Sequence, residues 1–167
     1  MARMLRENAH LSAEGWSDWL RAMIPAENIR DEGSYESRGA RQTGVMCTNI
    51  RGALPDEMSK CGIYEWQARR PGRQNVVIYV GCTCRDRPGS LRARILEYCV
   101  NGAHKSPLIN EALKKGNELF VRVKTSGDNS DCNSDRSKET AQNMENELLK
   151  KYDYAWNIRN NAMRDIL

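Results

Sequence analysis

Two tyrosines occupy corresponding places in two predicted β-strands. Tyr64 lies in the alternating segment 61–66, and Tyr79 lies in 75–80, a continuous run of β-branched and aromatic residues. The proline and glycine in residues 69–74 are typical of a turn, so the two strands are expected to form a hairpin. Antiparallel pairing would bring both phenols to one face. Taken alone, the hairpin is better explained by two buried structural tyrosines.

A guanidinium and a third phenol share one side of a predicted helix over residues 90–100. Its apolar residues recur at every fourth position, and Arg94 and Tyr98 flank that stripe, four residues apart. An arginine on an inward face calls for an anionic partner, and a phosphate suits its planar fork. The alternative is an Arg94 side chain that lies across the helix boundary into solvent.

A carboxylate lies on the apolar side of the last predicted helix, over residues 139–152. Glu145 is four residues from both Ala141 and Leu149, which belong to that side. A buried carboxylate is costly unless it is paired or bound to a cation. Glu145 therefore needs a partner. Asn157 follows at the end of a short aromatic stretch and offers a neutral hydrogen-bonding amide.

Length and composition predict one globular domain, or a domain with an extension. The chain has 167 residues, 40% of them hydrophobic, and a net charge of +4. That charge permits nucleic-acid binding without requiring it. The sequence contains neither an apolar run of the length needed to span a membrane nor the pattern of a secretory signal. We expect an intracellular protein without a membrane partner.

We expect residues 1–58 to be an N-terminal extension and residues 59–167 to be the main domain. Ser12 can cap an amphipathic helix that ends at Pro25, because tryptophan, leucine and methionine recur there at helical spacing. The rest of the extension is polar and irregular. In the main domain, residues 107–115 predict a short helix and residues 118–124 a third strand.

Six cysteines are spread along the chain without the C-x-x-C spacing of a structural zinc site. In an intracellular protein of this size, reduced and partly buried thiols are expected. Cys82 and Cys84 are the one closely spaced pair. A redox or soft-metal role for them stays open.

Taken together, these residues resemble the five motifs of the GIY-YIG nuclease superfamily. The order and spacing of the motifs match over roughly residues 60–160. The matching residues are Gly62-Ile63-Tyr64, Tyr79-Val80-Gly81, Leu91-x-x-Arg94-Ile95 with Tyr98, and Ala141-x-x-x-Glu145 followed by Asn157.

The resemblance implies an α/β fold of the α+β type, with a small three-stranded antiparallel sheet flanked by helices. It implies hydrolysis of DNA phosphodiesters with one Mg²⁺ or Mn²⁺ ion, completed by substrate phosphate and water. Tyr64 would be the general base and Glu145 the metal ligand. Arg94 would hold the scissile phosphate. The remaining roles would be to orient water and phosphate (Tyr79 and Tyr98) and to brace the site (Asn157).

Basic residues near the hairpin and the first helix would contact the DNA backbone. Such contacts make binding depend steeply on salt. The predicted DNA-binding residues are Arg69, Arg70, Arg73, Arg85, Arg87, Arg92, His104 and Lys105. A loop hydrogen bond is a competing interpretation of His104.

Within the superfamily, three segments look like the plant effector-of-transcription (ET) regulators. They are residues 90–94, residues 101–104 and residues 152–157. This narrower resemblance implies a nuclear protein that regulates transcription.

The chain also departs from the superfamily pattern. Cys82 stands where members often carry Lys or another polar residue. Two further hypotheses follow. The domain is a DNA-binding regulatory module that cuts weakly or not at all, or a cysteine-bound metal cofactor tunes it.

Overall fold

The fold is described from a computed structural model of the chain. The described residues are 2–25, 46–47, 60–83, 90–99, 105–127, 134–157 and 164–167. The helices and strands, in chain order, are β1 (Met4–Leu5), a 3-10 helix (Arg6–Asn8), β2 (Leu20–Ile24), β3 (Met46–Cys47), β4 (Gly62–Arg69), β5 (Val76–Cys82), α1 (Leu91–Cys99), α2 (Ser106–Lys114), β6 (Glu118–Thr125), α3 (Asp135–Lys151) and β7 (Tyr152–Asp153). The predicted α/β class, with an antiparallel sheet flanked by helices, is confirmed.

The three predicted strands lie side by side at one end of the sheet, in the order β6-β4-β5. Strand β4 pairs antiparallel with β5 on one side and with β6 on the other. In the β4–β5 hairpin, Tyr64 lies opposite Gly81 and Trp66 lies opposite Tyr79. Residues 62–68 of β4 are all buried, because the strand has a neighbour on each edge and side chains packed on both faces. Tyr64 therefore lies on a strand that is enclosed on both edges and both faces, whereas Tyr79 lies on the edge strand β5.

The sheet is larger than the sequence predicts. Its strand order is β3-β2-β6-β4-β5, and β2 pairs antiparallel with β6, which places Leu20 opposite Val121. The helix predicted between Ser12 and Pro25 is therefore wrong, since its second half is strand β2. The physical reason is that Met23 and Ile24 are fully buried beside β6 and their backbone completes the sheet there. The predicted boundary at residue 58 stays a prediction.

The three α-helices among the described residues cover the two faces of the sheet. Helices α1 and α2 enclose the main hydrophobic core on the face that carries Tyr64 and Trp66. Helix α3 packs on the opposite face, where Leu149 joins a second cluster with Val77 and Val80. Ser134 caps α3 by accepting a hydrogen bond from the Ser137 backbone amide at 3.2 Å. In the described part of the chain, no helix combines the length and apolar composition of a membrane span.

A buried ion cluster joins the N-terminal segment to β4. The fully buried Glu65 accepts hydrogen bonds from Arg6 Nε at 3.0 Å and from Arg122 Nη2 at 2.6 Å. The Tyr154 hydroxyl donates to the same carboxylate at 2.5 Å. The Arg122 guanidinium carbon lies over the indole of Trp16, 4.3 Å from the centroid of the indole ring. Residues near both ends of the chain thus meet at one side chain of the central strand.

Candidate active site

Three tyrosines form a hydrogen-bonded cluster on the face of the sheet that α1 covers. The Tyr64 and Tyr98 hydroxyl oxygens are 2.9 Å apart, and Tyr98 donates to the Tyr79 hydroxyl at 3.3 Å. All three side chains are buried. A Cβ atom at Gly81 would overlap the Tyr64 phenol. Because Gly81, which lies opposite Tyr64, has no side chain, the ring can occupy that space. The packing of Tyr64 thus requires a glycine at position 81.

Arg94 completes this cluster from α1. Its Nε donates to the Tyr64 hydroxyl at 3.2 Å, and its Nη2 donates to the Tyr98 hydroxyl at 3.1 Å. The third nitrogen, Nη1, forms an ion pair with Glu97 at 2.6 Å. Arg94 is only 8% exposed, whereas the Glu97 side chain is 56% exposed. The guanidinium therefore faces inward, one of the two positions that its spacing left open, and Glu97 binds the nitrogen that points away from the phenols.

Burial controls the protonation of the phenols. It raises the pKa of Tyr64, and the neighbouring Tyr79 raises it further, while the Arg94 charge lowers it by less. Burial likewise raises the pKa values of Tyr79 and Tyr98. The Arg94 pKa is lowered by burial but raised overall by Tyr64 and Tyr98. At neutral pH the cluster therefore consists of three neutral phenols around one cation.

Glu145 lies against β5 from the opposite face of the sheet. Its Oε2 accepts hydrogen bonds from the Cys82 thiol at 2.9 Å and from Gln142 Nε2 at 3.3 Å. The carboxylate is 7% exposed. After burial and the effect of Tyr98, its charge is a further cause of the raised Tyr79 pKa. Glu145 is thus close enough to act electrostatically on the tyrosine cluster.

Asn157 is bound to the outer edge of β5. Its side-chain Nδ2 donates to the Val80 carbonyl at 2.9 Å, and its Oδ1 accepts from the Val80 amide at 3.1 Å. The Trp156 amide donates to the Ile78 carbonyl at 2.9 Å. This segment therefore occupies the strand edge. A bracing role for Asn157, which the resemblance implies, stays a prediction that agrees with this position.

Several predicted DNA contacts have structural partners inside the protein. Arg69 lies over the Phe120 ring at 3.7 Å, and Arg70 Nη1 donates to the Lys115 carbonyl at 2.7 Å. Lys105 is buried, and its ammonium donates to the Trp156 carbonyl at 2.7 Å. Burial lowers the Lys105 pKa. The DNA contact of Lys105 stays a prediction, and in this structure its ammonium is buried against the Trp156 carbonyl.

The other predicted DNA contacts differ in their surroundings. Arg73 is exposed in the hairpin turn, and Arg92 is half-buried on α1. Three more lie outside the described residues: Arg85, Arg87 and His104. The DNA-binding surface as a whole stays a prediction.

Sequence reasoning missed three features around the site. Glu97 follows Arg94 by three residues, a spacing that could have suggested the ion pair. The contact of Lys105 with Trp156 and the thiol hydrogen bond of Cys82 join residues far apart in the chain. No local pattern signals such contacts.

The sequence predicts reduced thiols, and this prediction is wrong for Cys61. Cys61 is disulfide-bonded, whereas Cys82 and Cys99 are not. A disulfide requires the Cα atoms of its two cysteines to lie within roughly 7 Å of each other. Spacing along the chain does not show which cysteines the fold brings that close. Cys84 lies outside the described residues, and the cysteine-bound metal stays a prediction.

The donor set around Glu145 fits one weakly held hard cation. Among the residues that the structure describes, no three His, Cys, Asp or Glu side chains are grouped as a metal site. Both described hydrogen bonds to Glu145 end on Oε2. Mg²⁺ is commonly held by one or two carboxylates together with waters and substrate phosphates. A single carboxylate therefore suits a cation that the substrate helps to bind.

Comparisons with known proteins identify the family. A scan against protein-family models matches residues 32–166 to GIY-YIG domain-containing proteins. Searches of curated proteins and of solved structures found no significant match. The family match does not single out the plant ET regulators among its members. Since the matched residues make up most of the chain, it belongs to the GIY-YIG domain-containing proteins, whose nuclease-type fold implies DNA binding.

Proposed function

We propose that the chain is a divalent-metal-dependent endonuclease that hydrolyses phosphodiester bonds in DNA. The observation that carries this proposal is the hydrogen-bonded group of Arg94, Tyr64 and Tyr98, with Glu145 beside the same hairpin. Phosphodiester hydrolysis needs a cation for the phosphate, a base for water and stabilisation of the leaving oxygen. Side chains suited to these tasks lie on the two faces of the β4–β5 hairpin.

In this proposal Arg94 binds the scissile phosphate. Its Nη1 now contacts Glu97, so an incoming phosphate would replace that carboxylate with another anion. The hydroxyls of Tyr79 and Tyr98 then orient water and phosphate, and Asn157 holds β5 in place. A Mg²⁺ or Mn²⁺ ion on Glu145 would stabilise negative charge on the phosphate and the leaving oxygen.

Tyr64 is the proposed general base, and its environment sets a condition on that role. Burial raises the Tyr64 pKa, so the phenol holds its proton in the described structure. It can accept a proton from water only while it passes its own proton on. The Tyr98 hydroxyl lies 2.9 Å away and itself donates to Tyr79 at 3.3 Å, so each phenol would pass on its own proton as it accepts one, and the last proton would go to the leaving oxygen of the phosphodiester.

The test is a cleavage assay on plasmid, single-stranded and branched DNA with Mg²⁺ or Mn²⁺. We expect the wild-type chain to nick DNA and Glu145→Ala to lose cleavage. DNA affinity should stay equal or rise in Glu145→Ala, because the substitution removes a negative charge that repels phosphate.

Glu147→Gln is the matched control, since it removes a carboxylate from an exposed site on the same helix. It should cut at the wild-type rate. If Glu145→Ala cleaves DNA at the wild-type rate, the proposed role of Glu145 is wrong.

A DNA-binding regulatory module that cuts weakly or not at all is the second candidate. It is favoured by the raised Tyr64 pKa and by Cys82 at a position where the superfamily often has Lys or another polar residue. The resemblance to plant ET regulators would place such a module in the nucleus, in the control of transcription. Salt-dependent DNA binding without cleavage in any divalent metal would favour this candidate.

A further inference from the structure

We infer that Cys82 is a positioning residue that holds Glu145 in place for metal binding, an inference that rests on the proposed function. Cys82 is the last residue of β5, and its Sγ donates a hydrogen bond to Glu145 Oε2 at 2.9 Å. Both side chains are 7% exposed. The contact joins the sheet to α3 at the residue proposed to bind the cation.

The thiol differs from the other donor to Glu145 in what it is attached to. Gln142 Nε2 donates to the same oxygen at 3.3 Å, but Gln142 lies one turn earlier on α3. A donor on α3 moves together with Glu145. Cys82 belongs to the strand that carries Tyr79. Of the described hydrogen bonds to Glu145, the thiol bond is therefore the one that fixes the carboxylate relative to the tyrosine cluster.

Filling space is a second explanation of a small residue at this position. Cys82 packs with Ile63 and Ala141 in a small apolar cluster between the sheet and α3. An alanine would keep part of that packing and remove the donor. A serine is slightly smaller than cysteine and keeps a donor. The two substitutions therefore separate packing from hydrogen bonding.

The expected effect falls on metal affinity. Removing a hydrogen-bond partner that orients a metal ligand typically costs about 10- to 100-fold in metal affinity or activity. Cys82→Ala should therefore raise the Mn²⁺ concentration for half-maximal cleavage by at least about tenfold. The Kd for DNA without metal should be unchanged. Cys82→Ser should return the metal dependence to within about threefold of wild type, because its hydroxyl can donate to Glu145.

The experiment measures two quantities on the full chain bound to a DNA duplex. The first is the cleavage rate as a function of Mn²⁺ concentration, and the second is Mn²⁺ binding by electron paramagnetic resonance. Cys99→Ala is the matched control, since Cys99 is a buried thiol on α1 that packs in the main core. Circular dichroism and urea unfolding verify that every variant is folded.

The outcomes separate this inference from the proposed function. Weaker Mn²⁺ binding in Cys82→Ala, recovery in Cys82→Ser and no change in Cys99→Ala would support it. If wild type cuts DNA and Cys82→Ala has the same metal dependence, this inference fails while the proposed function stands. Equal losses in the alanine and serine variants would also overturn it, in favour of packing. If wild type neither cuts nor binds Mn²⁺, both fail.

Discussion

Tyr64 combines two properties that oppose each other. As a general base it must accept a proton, yet burial raises its pKa above the ordinary value of about 10. The Arg94 guanidinium lowers the pKa, but by less than burial raises it. In the proposed mechanism the hydroxyl of Tyr98 must therefore relay the proton, or phosphate binding must change the surroundings of Tyr64.

We predict that Tyr64→Phe lowers the cleavage rate by about 10² or more, the usual cost of losing a general base. The ring keeps its packing opposite Gly81, so only the hydrogen bonds to Tyr98 and Arg94 are lost. The free energy of unfolding should fall by about 1–3 kcal/mol. Single-turnover cleavage and urea unfolding measure the two effects.

Tyr152→Phe is the control for this substitution, because Tyr152 lies in β7, outside the tyrosine cluster. It should cut DNA at the wild-type rate. Equal rates for wild type and Tyr64→Phe would rule out Tyr64 as the base.

At the scale of elements, Arg94 on α1 is already paired with a carboxylate of the same helix. The Arg94–Glu97 ion pair joins residues three apart on the helix, with Arg94 buried and Glu97 largely exposed. A DNA phosphate must compete with this carboxylate for the same nitrogen. Glu97 thus keeps Arg94 paired when DNA is absent. The same carboxylate weakens the proposed contact between Arg94 and phosphate.

We predict that Glu97→Gln strengthens DNA binding several-fold at low salt, because it removes both a competing ligand and a charge that repels phosphate. Fluorescence anisotropy with a labelled duplex measures the affinity. Glu147→Gln is a close control, since Glu147 and Lys150 form an ion pair of the same spacing and distance on α3. An equal change in both variants would mean that only net charge matters.

The N-terminal segment is held to the sheet by charge as well as by strand pairing. Glu65 is enclosed by Arg6 and Arg122, all three at most 3% exposed. Removing any one of these three charges should destabilise the fold strongly, because the remaining buried charges cannot be solvated. This cluster couples strand β4 to residues before β2.

We predict that Glu65→Gln lowers the free energy of unfolding by about 3–5 kcal/mol, since two buried guanidiniums lose their anion. Glu118→Gln on β6 removes half of a partly exposed ion pair, whose N–O distance is 3.8 Å, and should cost at most about 1 kcal/mol. Urea unfolding of both variants gives the comparison. Similar small losses would show that the Glu65 cluster contributes little.

At the scale of the whole molecule, burial of phenols limits stability at high pH. Among the described residues, burial raises the pKa values of Tyr64, Tyr79, Tyr98 and Tyr154. In the unfolded chain these phenols ionise near pH 10. Their contribution to stability is therefore fully present below about pH 10 and is lost as the pH rises toward the higher folded-state values.

We predict that the free energy of unfolding is insensitive to these groups from pH 7 to 9 and falls steeply above about pH 10. Absorbance at the tyrosinate band should show that the four buried phenols ionise only when the chain unfolds. Urea unfolding across this pH range, at constant ionic strength, measures the loss. Ionisation of all tyrosines in the native state near pH 10 would contradict the prediction.

The sequence by itself determined the β4–β5 hairpin, strand β6, the three described α-helices and the position of Glu145 on an apolar helix face, whereas it left the direction of Arg94 open. These features depend on local periodicity, which each segment carries within its own residues. The family resemblance also rests on residues within these elements, and the family match agrees with it. The proposed roles of the site residues went beyond what periodicity could supply.

Only the tertiary structure decided the contacts between distant parts of the chain. The segment before Ile24 is a strand because β6 offers it hydrogen bonds, although its own apolar spacing suits a helix. Packing also selects the thiol that binds Glu145 and the partners of Glu65 and Lys105, which come from distant parts of the chain. A local pattern shows that a buried charge needs a partner, but the packing of the elements selects which residue it meets.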